Sequence, residues 1–112
     1  MKYLYLLFTL LVCSTALPAQ GHTDSLWQLW NDHEQPDTVR MKAVQDMAWS
    51  ILYSNPDSAF ALGTLELAFA RQTNNKKWQG KALNTLGATD HLKGDYAVAL
   101  QKYQHALSLF LE

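Results

Sequence analysis

The residues able to carry acid, base or metal chemistry are few, and their spacing serves none of it. Four histidines, His22, His33, His91 and His105, include no His-x-x-x-His pair that would line one side of a helix, and no Glu-rich ligand pattern accompanies them. Asp90 beside His91 is the one adjacent acid and base worth considering. Consecutive helical residues point about 100° apart, so these two do not face each other. No glycine-rich phosphate loop and no Gly-x-Ser-x-Gly elbow occurs. The expectation is a protein that is not an enzyme, with no catalytic residue, no metal and no cofactor.

Binding is then the function to look for, and composition limits the partner. The 112-residue chain has room for one domain at most. Its N-terminus, "MKYLYLLFTLLVCSTALPA", places Lys2 before an apolar run from Tyr3 to Val12 and ends in small residues, the layout of a secretory signal peptide. The run is shorter than the roughly 20 residues of a membrane-spanning helix. We expect cleavage after Ala19 and a mature chain from Gln20, although Ser14 and Ala16 offer an earlier site. Cys13, the only cysteine, falls in the leader, which excludes disulfides, thiol catalysis and cysteine-bound zinc from the mature chain. Without Lys2, eight basic residues oppose ten acidic ones, a net charge of −2 with no long run of either sign. Neither nucleic acid nor an anionic membrane is a natural partner for such a surface.

The elements that would position binding residues are all helical, because no segment after Gln20 alternates as a half-buried strand would. "TDSLWQLWNDHEQ" predicts a short first helix with Thr23 or Asp24 as cap, and Asp37 follows "QP" as the cap of a second. Over 38–53, Val44, Met47, Ala48, Ile51 and Leu52 recur at helical spacing. Pro56 suits the first position of a third helix, capped by Asn55 and running to Arg71. That helix is apolar on nearly all sides, so it must be covered on more than one face. A fourth helix is expected over Lys76 to Leu92, a turn at Gly94, and a fifth helix from Tyr96 to the end.

The last two helices carry a recognisable pattern. In a window numbered from Gly80, Leu83, Leu86 and Gly87 fall at positions 4, 7 and 8, and Ala99, Tyr103 and Ala106 at 20, 24 and 27. This resembles the tetratricopeptide repeat, a helical hairpin of 34 residues. Two positions depart from it: Asp90 stands where the family has Tyr, and Leu111 where it has Pro. A more degenerate copy precedes it, with Ala48 aligned to Gly87 and Ala59 to Ala99, and with Gly63 and Glu66 in place of the aromatic and the final Ala. The segments "PDTVRMKAVQDMAW", "YSNPDSAFAL" and "LGATDHLKGDYAVALQKYQHAL" are similar to the exported N-terminal region of bacterial tetratricopeptide signalling proteins, sensor histidine kinases among them. The output domains of that group are absent here.

The resemblance implies an all-α chain: a leader over 1–19, a short helix and turn over 20–37, a degenerate hairpin over 38–74 and a second hairpin over 78–112 that breaks off in mid-pattern, together the start of an α-solenoid. It implies a concave groove lined by the first helix of each hairpin. Carried over residue by residue, that groove takes Lys42, Gln45, Trp49, Leu52 and Tyr53 from the first hairpin and Lys81, Asn84, Ala88, His91 and Leu92 from the second. Trp49 and Tyr53, four apart, either form an aromatic shelf or pack against Trp27 and Trp30 of the first helix. Lys81 and Asn84 superficially resemble the carboxylate clamp of chaperone-associated repeats, but Ala88 stands where a further polar contact belongs. The expected function is a non-catalytic, periplasmic scaffold for a protein or peptide partner, tethered to the membrane only if the leader is kept or a span follows. The alternative is a self-contained module that forms a homodimer through its uncovered final helix.

Overall fold

The computed structural model describes residues 18–112, and among these it shows five helices and no strand. They are α1 (Pro18–Asn31), α2 (Asp37–Ile51), α3 (Pro56–Gln72), α4 (Lys76–Leu92) and α5 (Tyr96–Leu111). The leader-like run and Cys13 lie outside the described residues. Short connections make successive helices neighbours, and each packs against the next; in addition α2 touches α4.

Local signals account for most of the helix ends. Asn55 leaves the helical region ahead of Pro56 and its side-chain oxygen accepts from the Ser58 amide at 3.1 Å, starting α3. Asn75 caps α4 in the same way, accepting from the Trp78 amide at 3.1 Å. Helices α3 and α4 both end in a left-handed residue, Asn74 at φ 55° and Gly94 at φ 86°. In each case the following amide reaches back five residues, Asn75 to Ala70 at 2.8 Å and Asp95 to Asp90 at 2.9 Å.

Three expectations need correction. Helix α1 begins at Pro18, so Thr23 and Asp24 lie inside it rather than capping it. It stops at Asn31 because the Asp32 carboxylate accepts from the Glu34 amide and the Gln35 side chain, closing a turn before Pro36. Asp37 caps nothing: it is the first residue of α2, and the Pro36 carbonyl takes the Val39 and Arg40 amides at 3.0 and 3.2 Å. Helix α2 ends at Ile51, which leaves Tyr53 in the turn ahead of Pro56.

The core runs as three small clusters along the row of helices. Leu26, Ala43, Val44 and Met47 join α1 and α2, with Leu62 and Leu65 of α3 against them. Met41, Ala70 and Trp78 join α2, α3 and α4. Leu67, Ala82, Leu83, Leu86 and Ala106 join α3, α4 and α5. Helix α3 contributes to all three, which explains why its sequence is apolar nearly all round. Close approach needs glycine at specific points: a Cβ on Gly63 would lie 2.9 Å from the Leu86 side chain, and one on Gly87 2.8 Å from the Tyr103 ring.

Candidate binding groove

Helices α2 and α4 lie side by side on α3, and the residues expected to line a groove fall on them unevenly. The Trp49 indole N–H donates to the Thr85 hydroxyl at 3.1 Å, bridging α2 to α4, while 44% of Trp49 stays exposed. Gln45 and Asn84 are half-buried, and Lys42 is exposed in an ion pair with Asp46 at 2.7 Å. The Lys81 ammonium sits 4.3 Å from the centre of the Trp78 ring, which turns that cation into the protein. Ala88 is half-buried beside these groups.

Other candidates stand apart. Tyr53 is 81% exposed in the turn beyond α2 and so makes no helical pair with Trp49. Leu52 is buried in the core, and His91 is exposed near the end of α4 with its ring edge-on to Tyr96 at 5.1 Å. The aromatic shelf therefore does not form. The Trp49 indole N–H is instead bonded to α4, and Trp30 finds its partners elsewhere. Its ring meets Phe69 edge-on at 5.1 Å, and the Arg40 guanidinium lies 4.8 Å from both ring centres. Arg40 also donates from Nε to the Trp30 carbonyl at 2.7 Å, docking α1 onto α2. Trp27 instead edges a shallow hollow of about 340 Å³ between α1, α2 and α3, with Met47, Ile51 and Leu62 among its walls.

Two buried acids stand outside the expected groove residues. Asp90 is nearly buried and pairs with Lys102 of α5. Lys102 in turn lies 4.9 Å from the Phe60 ring, so an ion pair and a cation–π contact tie α3, α4 and α5 together. Burial first, and then the Asp90 charge, push the Tyr103 phenol above its ordinary range. Glu66 of α3 is wholly buried, and neither carboxyl oxygen has a hydrogen-bond partner. Burial raises its pKa from 4.5 to about 8; Lys81 pulls it back and Asp46 adds to the rise. No local pattern marks this residue, since its surroundings come from three different helices.

Compared with known proteins, the chain matches no family model, no curated protein and no solved structure. Among the described residues no three His, Cys, Asp or Glu side chains gather as a metal site would require, and no helix is long and apolar enough to cross a membrane. What the α2/α4 face offers is one half-exposed tryptophan, Trp49, two amides and two lysines, one of them paired with Asp46. Such a surface can hold an extended peptide by stacking and hydrogen bonding.

Proposed function

We propose that this chain is a non-catalytic protein-binding scaffold of tetratricopeptide type, exported to the periplasm as the N-terminal sensing or binding part of a signalling protein. The observation that carries the reading is the Trp49 to Thr85 bridge. It holds a half-exposed indole over the junction of α2 and α4, the first helices of the two hairpins, where a concave surface would lie. The paired positions that define a repeat support it further. Ala48, Ala59, Gly87 and Ala99 are all buried, and Tyr103 packs on Gly87 within the second hairpin. A photo-crosslinking residue at Gln45 or Asn84 should capture a protein partner in cells, whereas one at the exposed Gln101 should not. Capture from Gln101 alone would overturn the reading.

A second reading rests on α5. Leu100, Leu107 and Leu111 are 56, 57 and 78% exposed, leaving one apolar side of the final helix uncovered. A homodimer through that side would bury it. The mass of the purified protein over a range of concentrations distinguishes the two, because Leu107→Glu should abolish a dimer built this way and leave groove crosslinks intact.

A further inference from the structure

Arg40 is the one buried cation among the described residues, 7% exposed, and no acid of theirs pairs with it. Their ion pairs all use lysines instead: Lys42, Lys76, Lys93 and Lys102. A buried arginine ordinarily has an anionic partner, because taking a lone charge out of water is costly. Here the guanidinium lies 4.8 Å from the centres of the Trp30 and Phe69 rings, and its Nε–H donates to the Trp30 carbonyl at the negative end of α1. Docking α1 therefore uses Nε and the contact with the two rings, and the outer edge of the group is left over. Neither Nη nitrogen makes a hydrogen bond, yet neither is sealed from solvent as the Glu66 oxygens are. Asp37, exposed and three residues earlier on α2, forms no ion pair with Arg40. Asp32 is engaged by the Glu34 amide and the Gln35 side chain.

We propose that the open Nη edge of Arg40 is a receptor for a carboxylate of a partner protein, carried by an acidic side chain or by a chain terminus. A guanidinium offers two parallel N–H donors along that edge, which match the two oxygens of a carboxylate. The contacts on its other sides fix its orientation before the ligand arrives, so little freedom is lost on binding. One negative charge answers one positive charge, and no proton has to move. The site goes beyond the scaffold reading, since it lies where α1 meets α2, about 13 Å along α2 from Trp49, and does not use the groove.

Arg40 and Arg71 are the only arginines of the chain, and Arg71 is exposed, so protein labelled with nitrogen-15 arginine carries its own control. Titration with sodium N-acetylglycinate should move the Arg40 Nε–H resonance along a saturating curve and leave that of Arg71 without saturation. The same curve from sodium chloride at equal ionic strength, from the neutral N-acetylglycinamide, or at Arg71 would overturn the proposal. An aspartate blocked at both ends supplies a side-chain carboxylate, and whichever of the two carboxylates binds more tightly names the source. Tryptophan emission, sensitive through Trp30, should follow the Arg40 curve and lose it in Arg40→Lys, which keeps the charge without the fork. Should that variant not fold by circular dichroism, Asp37→Asn decides: removing a like charge beside the ligand should tighten binding roughly twofold, and no change would count against the site. Failure here with groove crosslinks intact sinks this inference alone, and carboxylate binding without crosslinks removes only the groove.

Discussion

At the scale of single residues, Glu66 sets the expected pH dependence of stability. Its folded pKa, about 8, lies above the ordinary 4.5, so between those values the folded protein holds a proton that the unfolded chain has released. Stability therefore falls as pH rises through that window, by up to about 1.4 kcal/mol per pH unit, and levels off beyond it. Urea melts from pH 4.5 to 8.5 should show this slope, and Glu66→Ala should flatten it while raising stability near pH 8. The glycines separate by what surrounds them. A Cβ at Gly63 meets the buried Leu86, so Gly63→Ala should cost about 1 to 3 kcal/mol by overpacking. At Gly80 the neighbour is Phe110, 43% exposed and free to swing outward. There the roughly 0.5 to 1 kcal/mol gained by alanine in a helix offsets the crowding, and Gly80→Ala should leave the thermal midpoint nearly unchanged.

At the scale of elements, side chains that cap can be told from those that merely look suitable. Asn55 and Asn75 accept from amides three residues on, and alanine at either should destabilise by about 1 kcal/mol in denaturant melts. Asp37 and Asp95 make no such bond, and Asp37→Ala should lose only the modest dipole contribution of an acid in the first turn. Helices α3, α4 and α5 were legible almost to the residue, because Asn55, Pro56 and Gly94 act on the backbone beside them. The start of α1 was not, since nothing in "SLWQLW" prevents the helix from extending back to Pro18. The candidate groove positions were half legible. Periodicity assigns Lys42, Gln45, Lys81 and Asn84 to helices, but whether Trp49 faces α1 or α4 depends on packing that one sequence does not encode locally. Glu66 was visible only as a departure from a repeat, because its isolation is made jointly by α2, α3 and α4.

At the scale of the whole molecule, the described helices form a row held by contacts between successive helices and by the α2–α4 contact, and among them α1 and α5 each pack on a single helix. Stability is then distributed along the row, with the interior best protected. Amide exchange should be slowest in α3 and in the α4 turns around Leu83 and Leu86, and fastest in α1 and α5. Ala99→Leu probes the α4/α5 junction: Ala99 is almost wholly buried, and overpacking there should cost about 1 to 3 kcal/mol. Exchange rates that rise in α5 alone would show that the last helix detaches by itself.

The bond from Trp49 to Thr85 also has an optical consequence. It joins α2 to α4, so any flexing of one helix pair against the other must stretch or break it, and the fluorophore involved is half in water. The emission of a protein keeping Trp49 as its sole tryptophan would thus serve as a built-in strain gauge, shifting as the array bends. Thr85→Val would disconnect the gauge and leave the beam in place.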